Sequence, residues 1–292
     1  GPAGSNGLSG VAGVRDVETS SELSRVYAGD LLGNIWRVNF SGGSPSVAYE
    51  DGLIAIPGGQ SITATPQLAT HPAGGIVVYV GSGKLIEDAD RLDFGSQQFW
   101  AVRDRGGAIT SLSGMAELSL TESGDGEREV TGTTGITENG WYMNLESDRP
   151  RGERVLSQAR VLFGALIFST FEPVEDPCVP GGLQRIYVLD ALSGDGRLIN
   201  SLAARVIGEG APIAPPITIK APQRSAHSGT IDFPGHPDPE NPLDPPVPPS
   251  GASTASRQDW CSAFGIPPLV PGDVFLELGS ICEGRQVWRQ IR

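Results

Sequence analysis

The hydrophobic positions of this chain recur with a period of two, the spacing of strands that send alternate side chains to opposite faces. In RVYAGDLLGNIWRVNF (residues 25–40), apolar residues alternate with small or polar ones around a Gly-Asp and a Gly-Asn pair. That arrangement predicts strand, turn, strand. The grammar returns downstream. GGIVVYVGSGKLI (74–86) predicts a strand ending in Gly-Ser-Gly. QQFWAVRDRGGAITSL (97–112) predicts a strand, an Asp-Arg-Gly-Gly turn and a second strand. RVLFGALIFSTFEP (160–173) gives two apolar strands about a glycine, and QRIYVLDALSGDGRLI (184–199) repeats the aromatic–Val–x–Asp–x–x–Gly order. The best candidate for a helix, around 150–160, is cut by Pro150 and Gly152.

Three of these segments share one skeleton of hydrophobic strand, Asp, a few residues, Gly and strand. Self-similar units of this kind predict an all-β, β-propeller-like stack. The aspartate in such a skeleton caps the turn by accepting backbone N–H bonds, so Asp104 and Asp190 are expected to be structural. At roughly 40–50 residues per blade, the 292 residues hold about four to six blades. Two stretches break the pattern. Residues 221–257 are rich in proline, which removes ladder donors, and read as an exposed loop insertion with polyproline II character. Residues 113–140 read as a polar excursion carrying a hairpin.

Composition narrows the function classes. Gly 40 and Pro 24 imply many turns and short elements. The net charge of −13 repels phosphate backbones and argues against nucleic-acid binding. No apolar run approaches the roughly 20 residues that span a bilayer. Gly1-Pro2 reads as a remnant of tag cleavage, so the lack of a signal peptide says nothing about export. The cysteines Cys178, Cys261 and Cys282 form no CxxC and lie far in sequence from His71, His227 and His236, which argues against zinc. An odd count fits one disulfide and one free thiol. The favoured pair is Cys261–Cys282, with Cys178 as the alternative partner and three free thiols as the remaining outcome.

The hairpin sequence RVYAGDLLGNIWRVNF resembles the signature of the C-terminal domain of PilY/PilC-type proteins, the type IV pilus biogenesis factors and tip adhesins. Further segments agree in the family's order: NGLSGVAGVRD before it, then SITATPQLATHPAGGIVVYVGSGKLIEDAD, QQFWAVRD, GWYMNLES with GERVLSQARVLFGALIFSTFEPVEDPCVPGG, RIYVLDALSG and a terminal GRQVWRQIR. The resemblance covers roughly 6–220 and 258–292. It implies a quinoprotein-like partial propeller of about four to five blades, forming a single domain over 1–292 with 221–257 inserted. It further implies an exported, non-enzymatic protein at the pilus tip, outer membrane surface or periplasm. Such a protein would support pilus assembly with minor pilins and attachment to host cells or abiotic surfaces. The family's N-terminal von Willebrand A-like domain is not in this chain. A propeller-shaped periplasmic or extracellular scaffold without a pilus role is the alternative.

In that family an EF-hand-like D-x-[DN]-x-D-G-x-x-D loop precedes the hairpin. By position, Asp16 falls on its first ligand, Glu18 on the third, Ser20 on the fifth, Glu22 on the seventh and Ser24 on the ninth. Calcium takes about six to eight oxygens, largely from carboxylates. Two carboxylates have become hydroxyls here, and Ser21 replaces the turn glycine. The sequence therefore predicts a degenerate calcium loop, with no cofactor required and calcium binding as the alternative. Quinoprotein dehydrogenases share the propeller grammar but need a full ring and, in many members, adjacent cysteines. Neither is present. There is no GxSxG elbow, and GSGK at 81–84 lacks the spacing of a phosphate loop. Trp288 is expected to close the core.

Overall fold

The computed structural model describes residues 6–15, 23–41, 44–132, 137–174 and 181–210, with a short antiparallel strand pair at Gly265–Ile266 and Leu276–Glu277. The three cysteines, the proline-rich 221–257 segment and Trp288 lie outside the described residues. Among the described residues the only helical elements are two 3-10 turns, Asp88–Leu92 and Ile199–Ser201.

The first unit is a five-stranded sheet of β1 (Ala12–Arg15), β2 (Leu23–Gly29), β3 (Asn34–Ser41), β4 (Ser44–Val47) and β5 (Ile54–Ala55). The β2–β3 turn is the predicted one. Gly33 sits there at φ +84°, and a Cβ on it would stand 2.9 Å from the Gln60 carbonyl oxygen. A side chain would be strained in both respects.

Three antiparallel strands follow: β6 (Gln67–Thr70), β7 (Ile76–Gly81) and β8 (Gln98–Asp104). Next come the hairpin β9 (Met115–Glu122) and β10 (Arg128–Gly132), and then β11 (Gly140–Asn144), which returns to pair with β8. The last unit is β12 (Arg160–Leu162), β13 (Ala165–Pro173), β14 (Gly182–Asp190) and β15 (Ala204–Gly210). Hydrogen bonds join these strands in the order β12-β13-β14-β15-β10-β9-β11-β8-β7-β6, a ten-stranded sheet whose ends β12 and β6 approach each other. The sheet thus nearly closes on itself. Within it β6-β7-β8-β11 and β12-β13-β14-β15 are two four-stranded blades. The β9–β10 hairpin splices them, with β9 parallel to β11 and β10 touching β15 at the single pair Arg128↔Ala204.

The continuous apolar runs are explained by burial on both faces. Ile76, Val78, Val80, Trp100 and Val102 face the first sheet, packing with Tyr27, Ile35, Leu53 and Ile62. Their neighbours Val77, Tyr79, Phe99 and Ala101 face the other way, onto Leu166, Phe168, Tyr187 and Leu189. Phe99 stacks on Phe168 with ring centroids 3.9 Å apart, and Phe168 stacks on Tyr187 at 4.7 Å. The remaining face of β13 and β14 buries Ile167, Ile186 and Val188 against Leu198. Sheets stacked face to face in chain order are the propeller-like packing the repeats predict.

Two predicted strands are absent, and each has a physical reason. Residues 108–112 do not return along β8, because the Ile109 amide donates to the Leu53 carbonyl at 2.7 Å in the first unit. The edge of β8 is occupied instead by β11. After Asp190, only an isolated bridge Leu189↔Gly196 forms before the chain turns, and β15 takes the edge of β14. The expected hairpin within 113–140 is β9–β10.

Candidate functional site

The hairpin loop singled out by its oxygen spacing lies between β1 and β2. Those strands pair Val14↔Arg25 and Arg15↔Leu23, which leaves Ser24 as the extra residue of a bulge. Its hydroxyl donates to the Val14 carbonyl at 3.1 Å. Asp16, Glu18, Ser20 and Glu22 lie outside the described residues. The one loop position that is described therefore serves the strand pair. A donor set with two hydroxyls fits calcium poorly. Among the described residues no group of three or more His, Cys, Asp or Glu side chains could hold a metal ion.

The skeleton aspartates are turn caps, and each also ties its turn to something else. Asp30 is fully buried. One of its oxygens accepts the amides of Leu32 (2.9 Å) and Asn34 (2.8 Å). The other accepts Asn6 Nδ2 (3.0 Å), Asn34 Nδ2 (2.9 Å) and Trp36 Nε1 (2.7 Å). Burial by itself would raise the Asp30 pKa, but the bonds from Asn34, Asn6 and Trp36 outweigh it and hold the carboxyl below the ordinary carboxylate range. Asp190 accepts the Leu192 and Ser193 amides, both at 2.9 Å. Asp104 accepts the Gly106 amide at 2.8 Å and reaches across to the first unit. There Tyr27 Oη donates to it at 2.5 Å and Arg37 Nη1 at 2.9 Å. Burial first, and Asp104 second, push the Tyr27 hydroxyl pKa well up.

A larger ionic joint, not anticipated from the sequence, locks the β9–β10 hairpin to the last blade. Arg128 and Glu153 pair at 2.7 Å, and Arg128 Nε also donates to Glu122 at 2.7 Å. Arg185 reaches Glu153 at 3.1 Å and also pairs with Glu172, while Arg151 pairs with Glu122 at 3.0 Å. Thr170 and Tyr187 donate their hydroxyls to the remaining oxygen of Glu153, at 2.6 and 3.0 Å. Three arginines meet three glutamates, and Arg128, Arg185 and Glu153 are all buried. Charges this enclosed hold the hairpin and the blade together. The sequence signal was a charged residue inside an apolar run, as at Arg185 in QRIYVLD.

The GSGK segment is likewise structural. Lys84 pairs with Asp90 at 3.0 Å, and Arg154 donates to the carbonyls of Gly152, Lys84, Asp90 and Asp93. No helix among the described residues is long and apolar enough to cross a membrane.

No protein-family model matches the chain. Among curated proteins, a type IV pilus biogenesis factor PilY1 homolog of Xylella fastidiosa is 31% identical over 322 aligned positions, covering 99% of this chain and 21% of that protein. The chain belongs to the PilY1 family. The type IV pilus biogenesis factor PilY1 of Pseudomonas aeruginosa PAO1 is 26% identical over 241 positions, covering 65% of this chain and 21% of that protein. The crystal structure of the P. aeruginosa PilY1 C-terminal domain superposes with a TM-score of 0.57 at 20% identity, covering 76% of this chain and 59% of that one. The fold is thus that of the family's C-terminal domain. The chain spans about a fifth of the length of the curated relatives it matches.

Proposed function

We propose that this chain is a non-enzymatic module of an exported type IV pilus factor, acting at the pilus tip or outer membrane surface. There it supports assembly with minor pilins and attachment to host or abiotic surfaces. The observation that carries this reading is the 31% identity to a pilus biogenesis factor along 99% of the chain. One feature of the fold and one of the sequence support it. The described blades are fastened to one another by buried ionic joints at Asp104 and Glu153. The one motif with cofactor chemistry in the family, the Asp16–Ser24 loop, carries a weakened donor set and is proposed to act as a polar turn with no required cofactor. The favoured Cys261–Cys282 disulfide, with Cys178 as the alternative partner, is part of the same proposal, since export would allow it to form.

The test is retention of the purified soluble domains of the same organism's minor pilins by this chain, paired with piliation of cells in which this segment is deleted. Stoichiometric retention and loss of surface pili are expected. No retention, together with normal piliation, would overturn the pilus role and leave a scaffold with other partners.

A further inference from the structure

A groove of about 590 Å³ lies where the first unit meets the segment that follows β8. Its apolar lining includes Tyr49, Ile54, Ile109 and Leu112, and Glu50 and Asp51 stand exposed at its rim. Among the described residues, none of those lining it is basic. Its volume is in the range of sites that take a small ligand or a few side chains of a peptide.

The walls are fixed from behind. Tyr49 Oη accepts a hydrogen bond from Arg37 Nη1 at 3.1 Å, and the guanidinium carbon of Arg37 lies 5.7 Å from the Tyr49 ring centroid. Arg37 is itself anchored on buried Asp104 at 2.9 Å. Ile109 is held by its amide bond to Leu53 at 2.7 Å, and Tyr49, Ile109 and Leu112 pack against the core between the first two units. The groove therefore needs no ordering when it is filled, which lowers the cost of binding. The same Ile109 bond that prevents the predicted strand at 108–112 builds one wall.

We propose that this groove docks an extended protein segment that carries a lysine or arginine beside an aliphatic side chain. The aliphatic group fills the space between Tyr49 and Ile109, and the cation meets Glu50 and Asp51. The choice of a basic occupant follows from charge complementarity with a rim that carries two carboxylates and no cation, on a chain of net charge −13.

The test uses the full chain and two synthetic peptides, acetyl-Gly-Leu-Lys-Leu-Gly-amide and its counterpart with glutamate in place of lysine, in amide-resolved NMR titrations at low salt. The lysine peptide is expected to shift amides within Tyr49–Ile56 and Ala108–Leu112, and the glutamate peptide to leave them in place. The double variant E50Q/D51N, altered only at exposed positions, should keep its melting temperature and bind the lysine peptide about fivefold more weakly, as two solvent-exposed charge pairs imply. Equal shifts with both peptides, shifts confined to other residues, or unchanged affinity of the double variant would each overturn the proposal.

Discussion

Trp36 donates its indole N–H to the same Asp30 oxygen that already takes the side-chain amides of Asn6 and Asn34. The Gly-Asp and Gly-Asn pairs of the hairpin signature are therefore one unit. The aspartate caps the turn with one oxygen and gathers three side-chain donors with the other. Asn6 in turn accepts the Leu31 amide at 3.1 Å, which pins the segment before β1 onto the turn.

Asp30→Asn is expected to cost about 2–4 kcal/mol. An asparagine can offer one oxygen to the two backbone amides, but its NH₂ then points at three donors, leaving buried groups unsatisfied. Urea denaturation followed by tryptophan fluorescence measures the effect. A change below about 0.5 kcal/mol, the scale of an ordinary surface substitution, would show that the turn does not depend on the charge.

Acid sensitivity should follow from the same carboxylate and two others. At Asp90, burial acts upward, but the Glu87 and Ile86 amides and Lys84 hold the carboxyl below its usual value. At Glu122, burial acts upward and Arg128 and Arg151 override it. A depressed folded-state pKa contributes stability that is fully present above the unfolded value, near 3.9 for Asp and 4.3 for Glu, and is lost as pH falls through the folded value. The melting temperature should therefore fall progressively below about pH 4, and Asp30→Asn should make that fall shallower. Thermal melts from pH 6 to pH 2 read both. A slope identical in the variant would remove Asp30 from the account.

Glu153→Gln should be among the most damaging single changes that preserve shape. It leaves Arg128 and Arg185 buried with too little negative charge, a loss of about 3–5 kcal/mol by analogy with other broken buried pairs. The internal control is Glu127→Gln, which removes the partner of the partly exposed Arg205. That pair should contribute no more than about 1 kcal/mol. Paired denaturant titrations of the two variants decide it, and similar losses in both would mean that burial of the joint is not what sets its value.

The legible part of this fold was the part governed by local chemistry. Alternation in residues 25–40 and the continuous apolar run 76–81 specified strands, and the Asp–Gly spacing specified capped turns at Asp104 and Asp190. What stayed hidden depends on residues distant in sequence. Nothing local distinguishes residues 108–112 from a strand; a carbonyl at Leu53 decides their path. The parallel pairing of β11 with β9 has no local signature either. The ionic joint assembles Glu122 and Arg128 of one hairpin with the distant Glu153 and Arg185, and only Arg185, set inside an apolar run, stands out locally; the other three read alone as ordinary surface charges.

Calcium is the last point the sequence leaves to experiment. The proposed degenerate loop retains Asp16, Glu18 and Glu22, while Ser20 and Ser24 stand where the family pattern has acidic ligands. A ligand bound only by the folded chain must raise the melting temperature once its concentration exceeds the dissociation constant. Thermal melts in millimolar calcium and in chelator should therefore superimpose for the parent chain and for Asp16→Ala alike, with a flat calorimetric titration. The Ser24 hydroxyl already serves the Val14 carbonyl at the base of the loop, which supports that outcome. A calcium-dependent rise in the parent chain that disappears in Asp16→Ala would mean that backbone carbonyls and water complete the ligand set. Calcium control of the module would then have to be added to its proposed role.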